Sequence, residues 1–146
     1  MLPDEEIVCE LTRLVWRTML GLDASDRAEP AEGDELTTSV DISGAWVGTV
    51  SITCSPALAK HLAATMLACP QDDATAADVR DVIAELTNVV GGNMKGVLPG
   101  PSKLSIPRVE RGSAPWATGK GSRHWFDCDG QAFSVSVFET SEQQGR

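Results

Sequence analysis

Basic residues are scarce in this chain: 12 Lys and Arg stand against 21 Asp and Glu in 146 residues, a formal net charge of −9. Duplex DNA and anionic membrane surfaces both require a basic footprint, so neither nucleic acid nor membrane is expected as a partner. Protein partners stay open, because a local patch can differ from the sum. No apolar run reaches the ~18 residues of a membrane span. The N-terminal MLPDEEIVCE is acidic where a secretory signal is basic, and Arg13 and Arg17 interrupt the apolar residues that follow. A cytoplasmic location is expected. The four cysteines, Cys9, Cys54, Cys69 and Cys128, show no CxxC spacing, and histidine is limited to His61 and His124. Small buried thiols are the expected role; a zinc site with the two histidines finds no support in the spacing. No Gly-rich dinucleotide loop, Ser/His/Asp arrangement or metal motif is visible. Gly119-Lys120-Gly121-Ser122 lacks the first glycine of a phosphate loop at the required spacing, and a strand follows it. No metal and no cofactor of the chain's own is expected.

The length suggests one domain over residues 1–146, with 1–4 and 141–146 frayed. Helical periodicity over Glu5 to Leu22 (Ile7, Val8, Leu11, Leu14, Val15, Thr18, Met19, Leu22) predicts a first helix, with Trp16 at the edge of its stripe. Asp23 to Glu35 holds six carboxylates and one Arg and reads as a solvated connection. From Leu36 the period changes to two: Val40 and Ile42, a Ser43-Gly44 turn, then Val50, Ile52 and Cys54 predict a hairpin. Ser55-Pro56 marks the start of a second helix that runs to about Cys69, burying Leu58, Leu62, Met66 and Leu67, with Lys60 and His61 solvated outside. Leu104 and Ile106 predict a strand that Pro107 demotes to an edge or a bulge. Arg111 to Ser122 reads as a loop. Trp125-Phe126 and Phe133, Val135, Val137 flank Asp129-Gly130 as a last hairpin. The order αββααβββ predicts an α+β, two-layer fold: an antiparallel sheet packed by helices.

The organising stretch is Thr75 to Val97. At 100° per residue Val79, Val82, Ile83, Leu86, Val89, Val90 and Val97 form an apolar stripe that would sit on a sheet. The opposite face carries Asp81, Glu85, Asn88 and Gly92 at i, i+4, i+7 and i+11, one row along the helix. Thr75 with Asp78 three residues on resembles a capping box, and Asp73 is an alternative cap. Glu85 and Asn88 are neighbours, an anionic acceptor beside an amide that both donates and accepts. Gly92 leaves backbone bare one turn further on. Gly91, Gly92 and Gly96 in one helix cost about 1 kcal/mol each relative to Ala.

Glu85 and Asn88 have neither a nucleophile nor a metal beside them in sequence, so their chemistry is restricted to positioning a water and engaging a cation on a partner. Hydrolysis of a phosphoryl group already bound to metal on another protein fits that restriction, since an amide can orient the attacking water. An ordinary solvated helix face offers the same residues without chemistry. The helix ending near Val90, or glycines that allow close packing on the sheet, would equally account for the glycine content.

The run Asp81-Val-Ile-Ala-Glu85-Leu-Thr-Asn88-Val-Val-Gly-Gly92-Asn93 resembles the signature of the CheC/CheX/FliY family of chemotaxis phosphatases. Glu85-Leu86-x-Asn88 followed by Gly92-Asn93, then Leu104-Ser105-Ile106-Pro107 with Gly112 after it, is most similar to CheX. A single E-x-x-N, where CheC carries two, agrees. The resemblance implies a CheC/CheX-like fold and dephosphorylation of a CheY-like response regulator at its aspartyl phosphate. It assigns Asn88 to orienting the attacking water and Glu85 to pairing with the regulator's lysine. Asp81 becomes a less critical acidic contact, Gly92 part of the partner-binding row, and Pro107 a shaping residue. Mg2+ is expected on the regulator, and a homodimer through the sheets is implied. The alternative is a non-catalytic receiver-binding adaptor or motor-switch-like module that uses the same helix; a purely structural dimer would bury the row instead.

Overall fold

The chain opens on a helix whose apolar spacing changes part-way. The computed structural model, which describes residues 2–112 and 119–140, places α1 at Glu5–Val15, burying Val8, Thr12 and Val15. It then widens into a π turn over Trp16–Leu20, closed by Gly21 at φ 68°. Val8, Thr12, Val15 and Trp16 follow ordinary helical spacing and Leu20 is buried at the end of the π turn, while Leu14, expected inside, is 46% exposed. Trp16 lies in the core, stacked on Phe133 with ring centroids 4.3 Å apart, and Phe126 continues the stack at 5.1 Å.

The sheet is built on two hairpins. Leu36–Gly44 (β2) pairs with Gly48–Cys54 (β3), and Gly119–Cys128 (β6) pairs with Gln131–Thr140 (β7). Asp129 and Gly130 both take positive φ in the second turn, which the twist of a tight hairpin requires. A two-residue strand, Ser25–Asp26 (β1), borders β6, and Ser102–Leu104 (β4) and Arg108–Arg111 (β5) both pair with β2. The order is β1-β6-β7-β3-β2-β4, with β5 beside the other half of β2, and every pairing is antiparallel.

Pro56–Leu67 (α2), capped by the Ser55 hydroxyl on the Leu58 N–H, and Ala76–Val97 (α3) pack with α1 on one face of the sheet. Val40, Ile42, Val50, Ile52, Phe133, Val135 and Val137 meet them there. Full burial of such side chains contributes about 1.5–3 kcal/mol each. The opposite face is a grid of small hydroxyls, Thr37 bonded to Thr53 at 2.9 Å and Ser39 to Ser51 at 2.8 Å. Arg123 lies over Trp125 and bonds Ser134 on the same face. The α+β antiparallel arrangement expected from the sequence is the observed one.

Several local expectations are corrected. The acidic connection is not wholly loop: β1 lies inside it, Arg13 pairs with Asp26 at 3.0 Å, Arg27 with Asp127 at 2.8 Å, and Glu35 with Arg123 at 3.1 Å. α2 stops at Leu67, two residues early, because Ala68 turns left-handed at φ 54°, and Leu67 is exposed. His61 is not simply solvated; it bonds Asp129 at 2.7 Å and Gln71 at 2.9 Å. Gly119 to Ser122 belongs to β6, not to a loop. The remainder of that expected loop, residues 113–118, and the tail 141–146 lie outside the described residues, as does Met1. Cys54 and Cys128 are buried, whereas Cys9 and Cys69 are half-buried.

Candidate functional site

The capping box fixes where α3 begins. The Thr75 hydroxyl accepts from the Asp78 N–H at 3.0 Å, and the Asp78 carboxylate accepts from the Thr75 N–H at 3.0 Å. From that start the helix presents Val82, Ile83, Leu86, Thr87, Val90, Gly91 and Met94 to the core. Val79 and Val89 are half-buried. Val97, expected on the stripe, is exposed, because it is the last helical residue and Leu98 is the one that turns back into the core.

The opposite face is the predicted row. Asp81 and Glu85 are exposed, and Asn88 and Gly92 half-buried. None of the Asp81, Glu85 and Asn88 side chains is engaged in a hydrogen bond or ion pair with the described residues. A helical separation of three brings Glu85 and Asn88 side by side. The structure thus leaves an anionic acceptor and an amide unengaged and adjacent on a solvent face. Asn93 behaves differently: its amide turns back to donate to the Val89 carbonyl at 3.0 Å.

The three glycines separate in role. A Cβ on Gly91 would meet Val40 Cγ2 at 2.5 Å and Leu104 Cδ1 at 3.4 Å, so its missing side chain lets α3 lie against β2 and β4. On Gly92 or Gly96 a Cβ would meet nothing within 4 Å. Gly92 therefore serves no packing need and keeps the row's far end bare. Close packing on the sheet, one of the two accounts open for the glycines, applies to Gly91, eight residues after Ile83 on the buried stripe; the burial of Thr87 and Met94 was not foreseen.

Pro107 sits in the gap between β4 and β5, where the register on β2 shifts by one residue between Ile42↔Leu104 and Ser39↔Arg108. This is a bulge in an outer strand, as expected of proline there. Ser105 holds it, its N–H on the Asp41 carbonyl and its hydroxyl accepting from the Asp41 N–H. Leu104, just before the bulge, is the side chain that approaches Gly91, which ties this strand to the back of the site.

Among the described residues no group of three or more His, Cys, Asp or Glu could hold a metal ion, and no helix is long and apolar enough to cross a membrane. What the row can do is meet a partner: one carboxylate for a cation, one amide for a water, on a face open to approach.

Comparison with known proteins bears on the fold and the family. No curated protein is significantly similar to the chain in sequence. In fold it is similar to CheX from Vibrio vulnificus (TM-score 0.75, 22% identity, 92% of this chain and 95% of that one). It is also similar to a CheC-like superfamily protein from Shewanella sp. PV-4 (TM-score 0.77, 18% identity, 95% and 100%). A third likeness is to a chain of the CheX–CheY–BeF3–Mg2+ complex from Borrelia burgdorferi (TM-score 0.72, 17% identity, 97% and 100%). Residues 36–126, from the start of β2 into β6 and including all of α3, match the family model described as chemotaxis phosphatase CheX. With more than half its length matched, the chain belongs to the CheX family of chemotaxis phosphatases.

Proposed function

We propose that this chain is a cytoplasmic, single-domain phosphatase that removes the aspartyl phosphate of a CheY-like response regulator. The observation that carries the reading is the pair Glu85 and Asn88, adjacent on the open face of α3 and unengaged within the described residues. Asn88 enters the regulator's site and orients the attacking water through its amide. Glu85 pairs with the regulator's lysine and sets the register of the two proteins. Asp81 extends the acidic row, and bare Gly92 lets the partner's backbone approach. Mg2+ is supplied by the regulator; the Borrelia burgdorferi complex, which contains CheY, BeF3 and Mg2+, supports that division of labour. Asn88 positions a water and Glu85 a cation, so catalysis rests on orientation and electrostatics. The acting form is a homodimer.

The test is the decay of a phosphorylated receiver domain with catalytic amounts of this protein, wild type beside Asn88→Ala and Glu85→Ala. Accelerated decay that each substitution removes supports the reading. Binding of the receiver with unchanged phosphate lifetime replaces it with the adaptor role. In that case Glu85→Ala weakens binding and Asn88→Ala has no special effect.

A further inference from the structure

A second site lies off the catalytic row. Between the starts of α2 and α3 and the β2–β5 pair is a cavity of about 350 Å3, within the range that holds small ligands. Lys60, Arg80 and Arg111 line it together with the apolar walls Leu36 and Val79, and its one carboxylate among the described residues is Glu35. None of Asp81, Glu85, Asn88 or Gly92 takes part.

Its charge is unusual for this molecule. Three of only 12 basic residues converge here in a chain with 21 acidic ones. Arg13 pairs with Asp26, Arg27 with Asp127, Arg108 with Asp41 and Arg123 with Glu35, while Arg17 is exposed and outside the cavity. Arg80 and Arg111 have no ion-pair partner among the described residues. Lys60 reaches Asp72 at 4.0 Å, a carboxylate that is itself fully exposed. Glu35 pairs with Arg123 at 3.1 Å. Pro56 and Ala76, the first residues of two helices, also border the space, and the positive ends of both helices add to its field. Two guanidinium groups and an ammonium beside apolar walls make a receptor for a dianionic head on an apolar or aromatic body.

We propose that this cavity binds a small phosphate monoester of mononucleotide size, its phosphate between Arg80, Arg111 and Lys60 and its body against Leu36 and Val79. The inference does not rest on the phosphatase reading, and its test measures binding alone. Amide chemical shifts of the full chain are followed during titration with adenosine monophosphate, inorganic phosphate and adenosine. The expected result is saturable movement of the Val79, Arg80 and Arg111 amides with adenosine monophosphate, weaker movement of the same amides with phosphate, and none with adenosine. Each of Arg80→Gln and Arg111→Gln should weaken binding by about tenfold or more, as loss of a charge-assisted hydrogen bond does. Both residues are exposed, so the variants fold; an unchanged spectrum away from the cavity verifies it. No saturable shift with either phosphate compound, or binding that survives both substitutions, overturns the proposal.

Discussion

Gly91 lies against Val40 so closely that a methyl group built on the glycine would stand 2.5 Å from the valine's Cγ2. The neighbouring Gly92 has nothing within 4 Å of the same position. Two adjacent glycines of one helix thus answer to different demands, and alanine separates them. Gly91→Ala gains about 1 kcal/mol of helix propensity but must displace a stiff β-branched side chain or the helix, at about 1–3 kcal/mol. Gly92→Ala keeps the propensity gain with no clash. Thermal unfolding should rank Gly92→Ala above wild type and Gly91→Ala at or below it. Receiver binding should rank Gly92→Ala below wild type, because the new methyl stands on the approach surface; unaltered binding would exclude Gly92 from the contact.

Asn88 and Glu85 invite the converse test. Their side chains bond to nothing in the described residues, so Asn88→Ala and Glu85→Ala should leave stability within about 0.5 kcal/mol of wild type. Phosphatase activity should fall on the order of 10²-fold on losing a group that positions a reactant. A matching drop in denaturation midpoint would mean that the side chains serve the fold instead.

The start of α3 depends on one reciprocal pair of hydrogen bonds between Thr75 and Asp78. Thr75→Ala should cost about 1 kcal/mol, and Thr75→Ser should recover most of it. Urea denaturation of the three proteins reads this directly. Equal midpoints would show that the cap is satisfied by solvent.

Alkaline pH offers a fourth handle. Burial first, then neighbouring Cys128 and Glu35, pushes the Cys54 thiol from 9.0 up to about 12. Cys9 and Cys128 shift in the same direction, with burial the main cause in each. Between the unfolded and folded values the unfolded chain holds fewer protons, so stability must fall as pH rises. The Cys54 contribution is fully present below about pH 9 and is lost toward pH 12, at roughly 1.4 kcal/mol per pH unit while the two states differ by a full proton. Denaturation midpoints followed upward from about pH 8 should drop more steeply in wild type than in Cys54→Ala. Parallel curves would show that Cys54 ionises without resistance.

The row Asp81, Glu85, Asn88, Gly92 was determined by the sequence itself, as were the capping box and the Asp129-Gly130 turn. Each depends on spacing within one element, and helical or strand period is a property of the backbone's own hydrogen bonds. The α+β class followed for the same reason, from where the period changes. Other features were decided only by the tertiary structure. Trp16 stacks on Phe133 because α1 turns the face of Val8, Thr12 and Val15 to the sheet, a face that the polar Thr12 hides from an apolar count. Gly91 rather than Gly92 is packed because β2 passes beneath one and not the other. The outer strand splits at Pro107 because its two halves meet β2 one residue out of register. Lys60, Arg80 and Arg111 come from three separate segments, and only the docking of α2 and α3 against β2 and β5 brings their charges to one cavity. Local order is written in the spacing of residues; convergence across segments depends on which faces pack, and that is settled by the burial of the whole core at once.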